Sequence, residues 1–174
     1  TSLVAISPVK GNGLVGRIFG QWQLAPIVSM RSGLPMNILD GADISQIGGL
    51  ATAVTVVTLL DRPNLVLPNS AYASTGNPVN YLNRAAFQTQ APGTFGTLGR
   101  SVLIAPGAIN VDVALTRTFR IRERWQLTPR AEAFNVINHT NFAAPNTTLS
   151  NSSFGVITAA ADPRILQFAM KLQF

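Results

Sequence analysis

The sequence predicts an all-β protein: a segment of an antiparallel transmembrane β-barrel with long extracellular loops. Three observations predict it. Apolar and polar residues alternate with a period of two over several stretches. The chain is 47% hydrophobic but only 11% charged, whereas soluble domains carry about a quarter charged residues. No run reaches the roughly 18 consecutive apolar residues that a membrane-spanning helix needs. The longest candidate, from Ile47 to Leu60, is broken by Gly48, Gly49, Thr52, Thr55 and Thr58. A chain that is apolar overall, yet never apolar in one run, suits short strands with one greasy face.

The strands follow in order. Leu3 to Ile6 read as the end of a strand, with Lys10-Gly11-Asn12-Gly13 as a turn. Gln21 to Arg31 alternates: Trp22, Leu24, Pro26, Val28 and Met30 share one face, Gln21, Gln23, Ser29 and Arg31 the other with Ala25 and Ile27. Gly33-Leu34-Pro35 interrupts this strand, and Met36 and Ile38 are expected to resume its apolar face. Ile109 to Ile121 alternates more cleanly, with Ile109, Val111, Val113, Leu115, Phe119 and Ile121 on one face and Asn110, Asp112, Thr116, Thr118 and Arg120 on the other. Arg122-Glu123-Arg124 makes a short polar turn, after which Trp125, Leu127, Ala131 and Ala133 continue the apolar face and Gln126, Thr128, Arg130 and Glu132 the polar one. A three-residue turn pairs odd positions with odd, so the two apolar faces match. In the last strand, Ile165 to Phe174, Leu166, Phe168, Met170, Leu172 and Phe174 lie on one face, with Gln167, Ala169, Lys171 and Gln173 opposite.

Residues 40–106 and 138–163 read as two long irregular regions rich in Pro, Gly, Asn, Ser and Thr. Short turns on one side and long loops on the other are the habit of outer-membrane barrels. If the chain ends on the short-turn side, Trp22, Phe119, Trp125 and Phe174 all fall at the same end of their strands, and these include both tryptophans of the chain. They are expected to be membrane-interface aromatics. Arg117 strains the pattern because it sits on the apolar face between Leu115 and Phe119. It must either snorkel at the membrane boundary or be turned inward by a bulge.

Other chemistry is thinly represented. There are no cysteines, which removes disulfides and thiolate metal sites. The net charge of +6 comes from scattered arginines, and the one cluster, Arg120, Arg122 and Arg124, belongs to a turn. A nucleic-acid footprint is therefore not expected. Gly11-Asn12-Gly13-Leu14-Val15-Gly16 matches G-x-G-x-x-G, but strand-like sequence rather than a helix follows it. His139 is the single histidine, read as a residue of an Asn-rich turn, and no nucleophile elbow is present, so neither zinc nor catalysis is expected. Asp40 and Asp43 lack calcium-loop spacing, and Asp40-Gly41 reads as a turn. Asp112, Arg120, Arg130 and Glu132 share the polar face of one hairpin. They suit either a lumen wall that contacts substrate or plug, or a set of cross-strand ion pairs. The chain is read as non-enzymatic and without cofactor. On alternation alone a secreted or surface β-sandwich, holding a glycan or protein in its loops, is the competing architecture. A basic nucleic-acid-binding β-domain is a weaker one.

The C-terminal third carries Gly107-Ala108-Ile109-Asn110-Val111-Asp112-Val113-Ala114-Leu115 and Phe119-Arg120-Ile121. It continues with Arg130-Ala131-Glu132-Ala133-Phe134-Asn135-Val136-Ile137-Asn138-His139-Thr140-Asn141-Phe142 and ends in Asp162-Pro163-Arg164-Ile165-Leu166-Gln167-Phe168 to Phe174. Upstream stand Gly20-Gln21-Trp22-Gln23-Leu24, Ser32-Gly33-Leu34-Pro35, Asp61-Arg62-Pro63-Asn64, Asn83-Arg84-Ala85-Ala86-Phe87 and Gly96-Thr97-Leu98-Gly99-Arg100. On these runs the chain resembles TonB-dependent outer-membrane receptors, in particular the Oar-like group with a carboxypeptidase-regulatory-like domain. The resemblance implies that residues 1–174 are the C-terminal part of one 22-stranded barrel domain, supplying about its last five strands in the bacterial outer membrane, with plug and N-terminal domains outside this stretch. It implies contact with outer-membrane lipid, with the rest of the barrel and the plug, and with TonB, which powers import of a substrate. It also implies that Phe168, Met170, Leu172 and Phe174 form the C-terminal signal read by the barrel-assembly machinery.

Overall fold

The computed structural model describes residues 3–7, 13, 20–47, 61–73, 77–121 and 124–174. Ten strands appear in chain order: β1 (Ala5–Ile6), β2 (Gln23–Arg31), β3 (Pro35–Met36), β4 (Asn64–Leu65), β5 (Phe87–Gln88), β6 (Leu103–Ile104), β7 (Ala108–Thr116), β8 (Phe119–Arg120), β9 (Gln126–Phe134) and β10 (Ile165–Gln173). Two short 3-10 turns, Pro68–Ser70 and Arg84–Ala86, are the helical elements among the described residues. The chain divides into two compact units. Unit 1 is Thr1–Arg31, Ala108–Asn141 and Ala161–Phe174; unit 2 is Ser32–Gly107 and Phe142–Ala160.

Unit 1 is one antiparallel sheet in the order β1-β2-β7-β9-β10, with β8 also paired to β9. The register places like with like. On the apolar face Leu24 stands opposite Leu115, Pro26 opposite Val113, Val28 opposite Val111 and Met30 opposite Ile109. The same face continues through Leu115↔Ala131 and Val113↔Ala133, then Leu127↔Leu172, Ala131↔Phe168 and Ala133↔Leu166. The odd-with-odd pairing of the β7–β9 hairpin is therefore observed. Ile121 N–H donates to Trp125 O across the tip at 2.9 Å; Arg122 and Glu123 lie outside the described residues, as does most of the 10–16 glycine turn. β1 is tied to β2 by Leu3 N–H to Pro26 O (3.3 Å) and Ser7 N–H to Trp22 O (2.8 Å).

The four long strands have nine residues each. At about 3.3 Å per residue and a tilt near 40°, such a strand rises about 23 Å, close to the apolar band of an outer-membrane barrel. Burial separates the units sharply. Among the described residues every buried hydrophobic side chain lies in unit 2. The sheet of unit 1 has none; all of β10 is exposed, with Phe168 at 78%, and so is Phe174 just after it, at 90%. A β-sandwich would cover the apolar face with a second sheet; the described residues of unit 1 form one sheet. An apolar face of this extent, left bare by protein, matches a strand surface solvated by lipid.

Unit 2 corrects the sequence reading. Residues 40–106 and 138–163 are not simply irregular. Met36, Ile38, Leu82, Ala86, Phe87, Leu98, Leu103, Leu149 and Phe154 form a core, bordered by the ribbons β3–β6 and β4–β5. Met36 and Ile38 do not resume the face of β2. Met36 pairs with Leu103, and Ile38 is fully buried in this core. The physical reason is the break at Gly33. A Cβ there would stand 1.5 Å from Ala105 O, so only glycine lets the two segments approach this closely.

Two family-like runs also meet here. Thr97 N–H donates to Asn64 Oδ1 (3.0 Å), Leu65 N–H to Thr97 Oγ1 (3.2 Å), and Leu98 N–H to Pro63 O (3.1 Å). Gly96 is the close-approach point, since a Cβ would lie 1.8 Å from Arg62 O and 2.6 Å from Pro63 O. Gly96→Ala is expected to cost at least about 2 kcal/mol, because backbone rather than a flexible side chain must yield. Limited proteolysis of unit 2 against wild type checks it.

Candidate functional site

The turn end of the sheet gathers its aromatics in pairs. Trp22 precedes β2, Phe119 lies in β8, Trp125 precedes β9 and Phe174 follows β10. Trp22 and Phe119 meet edge-on with centroids 6.4 Å apart, and Trp125 and Phe174 meet tilted at 6.1 Å. Arg117 lies among them. Thr116↔Arg130 and Phe119↔Leu127 keep one offset across it, so no bulge turns it inward. The ladder is interrupted because Pro129, opposite, has no N–H to return the bond that Arg117 N–H donates to Pro129 O at 3.3 Å. Arg117 therefore stays on the apolar face, only 5% exposed, with its guanidinium 4.1 Å from the Phe119 centroid and 5.7 Å from that of Trp22. Stacking on ring faces replaces part of its lost hydration.

The polar face does not assemble its four sequence-selected residues into one site. Arg130 pairs with Glu132 at 2.5 Å along one strand, not across strands. Arg120 stands opposite Gln126 at the turn end. Asp112 is eight residues away from it, about 26 Å along the strand, and is engaged otherwise. Its Oδ1 accepts from Asn110 Nδ2 (2.8 Å) and from Asn135 N–H (2.9 Å). The expected cross-strand ion pairs are not formed, because Asp112 is occupied as an acceptor for the chain leaving β9.

That exit is a tight polar clamp. Asn135 and Asn138 hold positive φ, 48° and 52°, the left-handed conformation that asparagine tolerates best after glycine. Asn135 is 4% exposed. Its Oδ1 accepts from His139 N–H (3.0 Å), and its Nδ2 donates to His139 O (2.9 Å) and Asp162 O (3.3 Å). Asn138 Oδ1 accepts from Arg164 N–H at 3.1 Å. Asn141 brackets Ile109, accepting from its N–H (2.8 Å) and donating to its carbonyl (2.9 Å). His139 Nδ1 lies 3.1 Å from Asn141 Oδ1, so the single histidine belongs to the turn. The run 134–142 thus fastens the ends of β7, β9 and β10. Beside it opens a cavity of about 730 Å³ lined by Ser29, Arg31, Asn110, Asp112, Asn135 and Asp162, among others.

An exposed apolar face, nine-residue antiparallel strands and rim aromatics describe a membrane barrel wall, and comparison with protein families agrees. The model of the outer membrane beta barrel domain matches residues 3–167. The chain belongs to that family. No curated protein and no solved structure matches it. As an outer membrane β-barrel domain, it resides in the bacterial outer membrane.

Within the barrel domain, sequence reasoning missed the clamp residues Asn135, Asn138 and Asn141. An Asn-x-x-Asn pattern directly after a strand was the available signal, since asparagine is the ordinary non-glycine occupant of left-handed positions. It also missed Asp40. Gly41 has φ 90°, as a turn requires, but the Asp40 side chain is buried and accepts from Thr89 Oγ1 at 2.9 Å. Ser45 holds the neighbouring Asp61 carboxylate through its N–H (2.6 Å) and hydroxyl (3.0 Å). Burial raises the Asp40 pKa above the ordinary aspartate value, and the Asp61 charge adds to this; Thr89 and Gln90 oppose it. The folded state then binds the proton more tightly than the unfolded chain. Asp40 thus favours folding more as pH falls toward the unfolded value, and less as pH rises through the folded one. In Asp40→Asn this contribution should vanish. The wild-type gain in melting temperature between pH 7 and pH 4.5 should shrink in the variant, measured by near-UV circular dichroism.

Proposed function

We propose that the chain is the C-terminal stretch of a TonB-dependent receptor barrel that imports a substrate across the outer membrane. What carries the reading is the clamp run 130–142. It is the most specific part of the resemblance to Oar-like receptors, and it holds the loop ends of three strands in register. The sheet also has two unpaired edges among the described residues, β1 and β10, and a barrel leaves no edge open. In this proposal further strands of a 22-stranded wall close it. Trp22, Phe119, Trp125 and Phe174 sit at the periplasmic membrane interface. Asp112, Arg120, Arg130 and Glu132 line the lumen toward plug and substrate. Phe168, Met170, Leu172 and Phe174 serve as the assembly signal. Lipid, the plug, TonB and the assembly machinery are its partners, and it carries out no catalysis.

The import reading is tested genetically. Deleting the gene that encodes this chain and depleting TonB should produce a shared growth defect on at least one nutrient source in a panel. Absence of any shared defect would sink it. The interface assignment is tested by fluorescence, because the chain has only two tryptophans. Lipids brominated near the headgroup should quench Trp22 and Trp125 more than lipids brominated deep in the acyl chain.

A further inference from the structure

Unit 2 contains a second cavity, of about 420 Å³, lined by Asn37, Asp61, Arg62, Phe95, Gly96 and Arg100 among others. Its chemistry is unusual for a loop surface. The side chains of Arg62 and Arg100 make no ion pair or hydrogen bond with another described residue. The one carboxylate of this group, Asp61, has both oxygens already held by Ser45. Asn37 Oδ1 accepts from Ser101 N–H at 2.8 Å, which leaves its amide nitrogen to donate. Phe95 is 69% exposed, although burying such a ring stabilises a protein by roughly 1.5–3 kcal/mol.

The exposure of Phe95 does not come from a loose segment. Gly93 N–H is bonded to Ile44 O at 2.8 Å on one side of it, and Leu98 N–H to Pro63 O on the other. Gly96, without a Cβ, lets this segment lie directly against Arg62 and Pro63. The backbone therefore fixes an aromatic face and two uncommitted guanidinium groups around one space. Guanidinium forks match the planar geometry of a carboxylate, and a phenyl face takes a flat or ring-shaped body.

We propose that this cavity binds a small organic carboxylate carrying a ring, the acid on Arg62 and Arg100 and the ring against Phe95. The site depends on the receptor reading only for its biological purpose. Binding in vitro needs neither TonB nor import, so the two readings fail separately.

The test uses the whole chain in lipid nanodiscs, titrated with benzoate, D-glucuronate and inorganic phosphate and followed by ligand-observed NMR. At least one of the two ring-bearing acids should bind saturably, and whichever binds more tightly distinguishes an aromatic acid from an acidic sugar. Affinity should fall at least tenfold in R62Q/R100Q. F95A should weaken the ring-bearing acids and leave phosphate unchanged. If the double variant loses the native near-UV spectrum, R100Q alone decides, since Arg100 is an exposed side chain. The proposal is overturned if neither ring-bearing acid saturates, if the arginine variants bind them like wild type, or if F95A weakens phosphate equally.

Discussion

Placing arginine at Val113 is expected to destabilise the folded chain in lipid bilayers by about 2–4 kcal/mol, while arginine at Ile121 costs no more than about 1 kcal/mol. Both positions lie on the apolar face of the same strand line. Val113 stands between Pro26 and Ala133 near the middle of the nine-residue strands. Ile121 lies at the turn end, bonded through its N–H to Trp125. A charge at mid-strand has no path to water, whereas one at the rim can extend its stem to the headgroups. Urea unfolding of the two variants in lipid vesicles measures the difference. Equal costs at the two sites would mean that depth in a bilayer does not govern this face.

Asn135→Ala is expected to cost about 2–4 kcal/mol. Three side-chain hydrogen bonds are lost from a buried position, stranding His139 and Asp162 backbone groups at about 1–3 kcal/mol in all. Alanine must also hold φ near 48°, which adds about 1 kcal/mol. Asn135→Gly removes the bonds but not the conformational freedom, so it should be milder than alanine by roughly that last amount. Heat-modifiable electrophoretic mobility ranks the three chains. If glycine proves no better than alanine, the backbone contribution is absent.

The sheet was legible because a period of two declares both the strand and its face, and because a three-residue turn fixes parity. Leu115 opposite Ala131 and Phe119 opposite Leu127 follow from those two facts alone. Unit 2 was not legible. Its strands have two residues each, too short for any period, and its core draws Ile38, Leu98 and Phe154 from segments far apart in sequence. Its strongest organisers are places where a side chain is missing, Gly33 and Gly96, and these are silent until the partner backbone is known. Arg117 needed the register as well: only the unbroken offset past Pro129 decides between a bulge and a covered arginine. At Asp112 charge was a poor guide. Its strongest claim on neighbours is as an acceptor for backbone and amide N–H groups rather than as half of an ion pair.

The division of the chain also sets an order of assembly. The β7–β9 hairpin needs only its own contiguous stretch, closed over a three-residue tip. The core of unit 2 must wait for a later one, because Leu149 and Phe154 are synthesised after that hairpin is complete. Pairing of β2 with β7 must span the whole intervening segment. Local closure comes early and long-range closure late. A chain stalled before residue 142 should hold its hairpin while residues 32–107 stand with an unfinished interior. Limited proteolysis of a chain truncated before residue 142 should therefore cut within residues 32–107 sooner than in the full chain.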